Sequence, residues 1–374
     1  MRLILIFIIA FMYVIYETKP WKLTATQRSP VIFVPGDGGS QLEAQLNKTI
    51  VPHYLCEKVS SDYFNIWLNL ELLVPIIIDC FIDNMKLTYH NDTRTTTNTE
   101  GVSVRVPGWG DPFSVEYLDP SKASPGNYFK DVGNMLVNQL GYVRNLSLRG
   151  APYDFRKAPK ETYIINNKVP ITLIAHSMGG PMTLLFLQNQ TQKWKNQYIK
   201  SLITLGAVWG GSVKALKVFA VGDNLGAYVL RESILRDQQI TSPSLGWLLP
   251  SKYFWKDIEV DINVPNGWEF RKDTEKFQAN FAAPGVEIHC LHGVNVSTVE
   301  KLYYKPGVTL DSYPQLILGD GDGTVNLRSL EGCLYWKTKQ KQRIYHQTFA
   351  GVDHMEILRN QHVLDYIKTT LSTI

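Results

Sequence analysis

A serine hydroxyl attacks an acyl carbonyl efficiently only when a base removes its proton and a third group holds that base in place. Ser177 stands where such a hydroxyl would be presented. It lies in Ala175-His-Ser177-Met-Gly179, between an apolar, β-branched run at 169–175 and an apolar run at 181–188. The first run reads as a buried strand and the second as the helix that leaves it. The turn between them can be very tight because its glycines and alanine are small. A serine at the crest of a strained strand-to-helix turn is a nucleophile elbow, here with alanine in place of the usual first glycine. A serine in an ordinary strand–helix loop is the alternative, and the remaining residues decide between the two.

Partners for that serine lie downstream. His354, in Ala350-Gly-Val-Asp-His354-Met-Glu, follows the last strand-like run and opens the last helix. Asp320 and Asp322, in Gly319-Asp-Gly-Asp-Gly323, both qualify as the acid that orients it. The order serine, acid, histidine is that of the α/β-hydrolases, and each candidate falls on a loop just past a strand. Other histidines fit less well. His176 adjoins the nucleophile and is expected to pack or hydrogen-bond locally, His289 lies inside a strand and His292 near its end. The Gly-Asp repeat resembles part of a calcium loop but lacks the distal glutamate.

Acyl transfer also needs N–H donors for the oxyanion. Pro30-Val-Ile-Phe-Val-Pro-Gly-Asp-Gly-Gly-Ser40 reads as a buried strand entering a glycine-rich turn. In this fold that turn supplies one donor and the residue after the nucleophile the other, which makes Asp37 and Met178 the candidates. No Lys-Ser/Thr pair follows the glycines, against a phosphate-binding loop.

These residues need a parallel sheet to hold them. Strands are expected at 30–34, near 146–149, at 169–175, 198–206, 286–293, 315–318 and 343–349, with a helix at 128–140. The fold class is α/β: an α/β-hydrolase core spanning 30–374. Residues 157–168 are a difficulty, because a parallel crossover calls for about a dozen residues or more and this segment has room for a couple of helical turns. Residues 212–264 are amphipathic, with Trp247, Leu248, Leu249, Tyr253, Phe254 and Trp255 clustered, and read as an inserted cap or lid over an apolar substrate. Residues 81–125 read as short strands and turns with a polar tip at 91–99. Between Cys56 and Cys80 aromatic and aliphatic side chains are too dense for a solvated loop. An apolar loop tipped by Trp67, with Leu68, Leu72 and Leu73, suits a lipid interface; a subdomain packed on the core is the bland reading.

The chain has 374 residues and a formal charge of +4. No Lys/Arg cluster of nucleic-acid type is present, so attraction to anionic membranes is the better use of a mildly basic surface. Met1-Arg2, an apolar run at 3–16 and polar Glu17-Thr-Lys-Pro20 have the layout of a signal peptide over 1–19, or of an uncleaved anchor. Sequons at Asn47, Asn91, Asn145, Asn189 and Asn295 fit a secretory route. The four cysteines, 56, 80, 290 and 333, suggest two disulfides in one of three pairings, of which neighbour pairing closes the shortest loops. Their spacing is not that of a zinc site.

Val34-Pro-Gly-Asp-Gly-Gly-Ser-Gln-Leu-Glu-Ala, Arg149-Gly-Ala-Pro-Tyr-Asp-Phe-Arg, Ala175-His-Ser-Met-Gly, Gly206-Ala-Val-Trp-Gly-Gly and Gly319-Asp-Gly-Asp-Gly-Thr-Val-Asn resemble the lecithin:cholesterol acyltransferase and lysosomal phospholipase A family, from about Pro30 to the C-terminus. The resemblance implies a hydrolase core, a membrane-binding subdomain and a lidded cap. It implies Ser177, Asp322 and His354 as triad, Asp37 and Met178 as oxyanion donors, Cys56–Cys80 and Cys290–Cys333 as disulfides, and Trp67 as a lipid contact. Asp37, the His-Ser-Met-Gly elbow and Asp322-Gly323 resemble the lysosomal branch; the plasma branch has a free cysteine where this chain has Asp37. Residues 157–168 lack about one helix of the family pattern, and 257–268 are shorter than the family's cap.

Together these readings lead us to expect a monomeric, secreted or lysosomal serine acyl hydrolase and O-acyltransferase. It would act on glycerophospholipids in membranes or lipoprotein surfaces, with water or a lipid alcohol as acceptor and no metal or organic cofactor. A sterol acyltransferase and a catalytically impaired lipid-binding protein are the alternatives.

Overall fold

Six parallel strands form the frame of the computed structural model, which describes residues 28–158, 170–225, 230–256, 267–275, 281–305, 307 and 312–372. In chain order they are β1 (Val31–Val34), β2 (Leu148–Gly150), β3 (Ile171–His176), β4 (Ile199–Leu205), β5 (Ile288–Val294) and β6 (Ile344–Ala350). Across the sheet they run β6-β5-β4-β3-β1-β2. A parallel interior strand is covered on both faces, which is why β3 is buried at every position. Alternate side chains divide between two cores. Val31, Phe33, Ile174, Ile203 and Leu205 pack against Phe129, Leu136 and the C-terminal helix Gln361–Ser372. Ile32, Leu173, Ala175 and Leu202 pack against Leu184, Leu187 and Trp336 on the other side.

A third core lies over the C-terminal ends of the strands. It joins Leu42, Ile66, Phe81 and Met85 of the residues between β1 and β2 to Phe219, Leu235, Trp247 and Leu249 of the residues after β4, with Met178 of the elbow among them. Two inserted segments thus share one apolar interior directly above the sheet. Helix α1 (Ile78–Met85) carries Phe81 and Met85, α2 (Lys130–Leu140) covers the sheet, and α3 (Gly179–Gln188) leaves the elbow. Helices α4 (Val213–Val221) and α5 (Glu232–Gln239) belong to the segment expected to form the cap. Arg156, buried, bonds Asp154, the Met85 carbonyl and Asn98, fastening the first insertion to the sheet.

Several expectations need correction. Residues 315–318 are not a core strand. Gln315–Gly319 pairs antiparallel with Thr298–Tyr303 in a separate two-stranded ribbon, where Ile317 and Leu318 are exposed. An apolar run reads as a buried strand by composition, but the ribbon grows out of the end of β5 and returns to it. The stretch 81–125 begins inside α1, whose apolar face packs into the third core. The hairpin Leu87–His90/Thr95–Asn98 then carries the polar tip.

The disulfides are Cys56–Cys80 and Cys290–Cys333. All five sequon asparagines are exposed. The leader at 1–19 lies outside the described residues, as do nearly all of the short segments at 157–168 and 257–268. Among the described residues no helix is long and apolar enough to cross a membrane.

Candidate active site

Strand β3 ends at His176 and α3 begins at Gly179, so only Ser177 and Met178 make the turn. Ser177 takes a left-handed φ of 55°, a conformation costly for a residue with a Cβ. Its amide is held by the Leu205 carbonyl at 3.0 Å. The turn closes so tightly that a Cβ on Gly179 would lie 2.4 Å from the Val34 carbonyl oxygen. Glycine is therefore a steric requirement there, and the strain predicted for the elbow is present.

Ser177 Oγ lies 2.9 Å from His354 Nε2, and His354 Nδ1 lies 2.7 Å from Asp322 Oδ2. All three residues are buried. Asp322 Oδ1 accepts the Thr324 and Val325 amides at 3.1 and 2.7 Å, and the Asp322 carbonyl accepts the His354 amide at 2.8 Å. The acid turn thus grips the histidine through both backbone and side chain. Although the strand before Asp322 is outside the sheet, the Val296 amide bonds the Gly321 carbonyl and returns the turn to the end of β5. Asp320, the competing acid, is exposed and accepts the Asn295 amide instead.

The turn after β1 abuts the nucleophile. A Cβ on Gly36 would fall 2.6 Å from Ser177 Cβ and 3.1 Å from its Oγ. Among the described residues neither the Asp37 nor the Met178 amide donates to a protein acceptor. Two free N–H groups beside a serine hydroxyl suit an oxyanion. Asp37 is exposed by surface area, yet protein packs closely around its carboxyl, and that desolvation pushes it up to about 7.

Trp67 is not the tip of its loop. Its indole Nε1 donates to the Gly38 carbonyl at 2.7 Å, and its ring packs against Phe81 and Phe155. Leu68 is buried, and Leu72 and Leu73 are half-buried against the core. Large apolar side chains of this loop that face solvent are Val59, Leu70, Val74 and Ile76, the last 70% exposed. A dense apolar loop has an inner and an outer face, and composition alone cannot assign Trp67 to either.

Two residues carried no catalytic expectation. His176 donates to the His354 backbone carbonyl at 2.8 Å and meets the Tyr128 hydroxyl at Nδ1. Tyr128 in turn accepts the Gly36 amide at 2.9 Å. Burial holds the His176 imidazole well below its ordinary range, and therefore neutral. Nothing in the sequence flags Tyr128, which lies 48 residues from its partner.

The lecithin:cholesterol acyltransferase family model matches residues 63–282 and 271–361. The lysosomal phospholipase A and acyltransferase of Homo sapiens is 44% identical over 381 residues, 93% of this chain and 92% of that protein. Its counterpart in Canis lupus familiaris is 43% identical, covering 96% of this chain and 95% of the relative. The phosphatidylcholine-sterol acyltransferase of Gallus gallus is 38% identical, covering 91% and 90%.

Proposed function

The chain belongs to the lecithin:cholesterol acyltransferase family, and we propose that it is a calcium-independent phospholipase A and O-acyltransferase of glycerophospholipids. The observation that carries the reading is the run from Ser177 Oγ through His354 to Asp322, with hydrogen-bond distances of 2.9 and 2.7 Å. As Ser177 Oγ bonds to an sn-1 or sn-2 ester carbonyl carbon, His354 Nε2 takes the hydroxyl proton. The carbonyl electrons move onto oxygen, which the Asp37 and Met178 amides receive. Collapse breaks the bond to the lysophospholipid, which leaves with the proton from His354. Water or a lipid alcohol then gives its proton to His354, attacks the acyl-serine and frees Ser177. Asp322 holds the imidazole throughout. No step calls for a metal or an organic cofactor.

The lysosomal reading is favoured over the sterol branch by Asp37, since all four cysteines are in disulfides and none is free at that turn. A monomer acting in the lysosome or outside the cell, after loss of residues 1–19 and with glycans on the five asparagines, fits this use. The exposed Leu70, Val74 and Ile76 suit contact with a membrane or lipoprotein surface, and residues 212–264 would serve as the lid. The test is acyl release from phosphatidylcholine liposomes in excess chelator, with fluorophosphonate labelling of the serine. Ser177→Ala is expected to abolish labelling and lower turnover about 10⁶-fold, with the melting temperature little changed. A variant retaining a tenth of wild-type turnover would end the serine mechanism.

A further inference from the structure

Beneath the triad a chain of hydrogen bonds crosses the sheet ends. The Gly36 amide donates to Tyr128 Oη at 2.9 Å, Tyr128 Oη meets His176 Nδ1, and His176 Nε2 meets the His354 carbonyl at 2.8 Å. Its two ends are backbone groups with only one possible role. An amide can only donate and a carbonyl can only accept. Burial keeps His176 neutral, so its single proton sits on Nε2 to donate to the carbonyl, and Nδ1 accepts from the tyrosine hydroxyl. Both side chains are buried, with Tyr128 at 4% and His176 at 1% exposure. The Tyr128 ring also packs beneath the oxyanion turn, where a Cβ on Gly39 would lie 2.8 Å from it.

We propose that Tyr128 and His176 are positioning residues for acyl transfer, tying the oxyanion turn at Gly36–Asp37 to the backbone of His354. The inference rests on the triad reading above. The two parts of the machinery it joins come from opposite ends of the chain and share no other direct bond among the described residues. One holds the developing negative charge, and the other removes and returns the proton. Phenylalanine at 128 and an aliphatic residue at 176 would fill similar space, so packing alone does not call for the polar pair. Buried polar groups that are fully paired hold one geometry, whereas a half-satisfied network is costly. A misplacement of about 1 Å at such a site can cost on the order of 100-fold in rate.

The experiment compares Tyr128→Phe, His176→Leu, His176→Gln and Tyr128→Phe/His176→Leu with wild type. It reads kcat and KM on a soluble p-nitrophenyl ester, the rate of Ser177 phosphonylation by a fluorophosphonate, and the melting temperature, per folded protein. Tyr128→Phe is expected to lower kcat and phosphonylation on the order of 10- to 100-fold with KM within about twofold. His176→Leu should lose at least as much. Glutamine, which keeps a donor for the His354 carbonyl, should recover part of the loss. The double variant should be no slower than His176→Leu alone, because the two residues act through one chain. A Tyr128→Phe protein with a lower melting temperature but kcat and phosphonylation within twofold of wild type overturns the proposal, as does equal activity of the Gln and Leu variants. Failure of wild type itself to label would instead overturn the serine mechanism beneath it.

Discussion

Two aspartate turns flank the same hydroxyl, and they treat a carboxyl group in opposite ways. Asp322 is 1% exposed and lies within hydrogen-bond reach of three donors: two amides at Oδ1 and the His354 ring at Oδ2. Such a setting fixes both carboxyl oxygens in place. Asp37 is exposed by surface area, but among the described residues no donor reaches its carboxyl, and desolvation raises it to about 7. The two turns thus differ in the donors that reach their carboxyl oxygens. In the proposed mechanism the imidazolium forms beside Asp322. The oxyanion of that mechanism forms beside Asp37, whose carboxyl is pushed up to about 7.

The contrast is broken most severely at Asp322. Asp322→Asn keeps the shape but removes the charge that stabilises the imidazolium and fixes its tautomer. It is expected to lower kcat about 10⁴-fold at every pH where wild type works, measured on a soluble ester. A loss independent of pH sets this turn apart from the other. A change below tenfold would mean that His354 is oriented chiefly by its backbone bond to the Asp322 carbonyl.

A smaller loss is expected at the wall of the oxyanion turn. Trp67→Ala removes the bond to the Gly38 carbonyl and the ring beneath it, so the Asp37 amide loses part of its support. On the order of tenfold lower kcat is expected on soluble ester and liposomes alike. Ile76→Ser should weaken only liposome binding, since Ile76 touches solvent. If Trp67→Ala spares the soluble ester, Trp67 serves the membrane as its loop composition first suggested.

The candidate triad was legible because each member follows a strand and sits among small residues that permit a sharp turn. The choice between Asp320 and Asp322 was not legible from spacing, since both occupy the same glycine-flanked turn. It depended on the ribbon of Thr298–Tyr303 and Gln315–Gly319, which returns the chain to β5 with Asp322 turned inward. That ribbon was itself mistaken for core because Leu316, Ile317 and Leu318 look buried by composition. The side of its loop that Trp67 faces was not legible for a related reason: hydrophobicity records what wants burial, not which side of a loop receives it. Tyr128 and His176 meet only once β1, β3 and α2 are assembled, and no local pattern announces a contact of that range.

The subtlest way to test the two turns is through pH. Protonated Asp37 adds no charge near the developing oxyanion, whereas ionised Asp37 opposes it. Wild-type kcat/KM should therefore decline as pH rises through about 7. Asp37→Asn, neutral throughout, should keep its activity above that point. Stability carries the same sign. A carboxyl raised in the folded state binds protons more tightly there than in the unfolded chain, so its contribution is present below the unfolded value and is lost as pH climbs to about 7. Asp37→Asn should flatten that part of the melting-temperature profile. Activity is to be measured on a soluble ester as well as on anionic liposomes, because acid also makes the protein more positive and strengthens its attraction to an anionic surface. A decline with the same midpoint in wild type and variant on the soluble ester would take the titration away from Asp37. A decline that disappears from the soluble ester but persists on anionic liposomes in Asp37→Asn would separate the two effects, leaving the oxyanion turn to govern chemistry and the surface charge to govern adsorption.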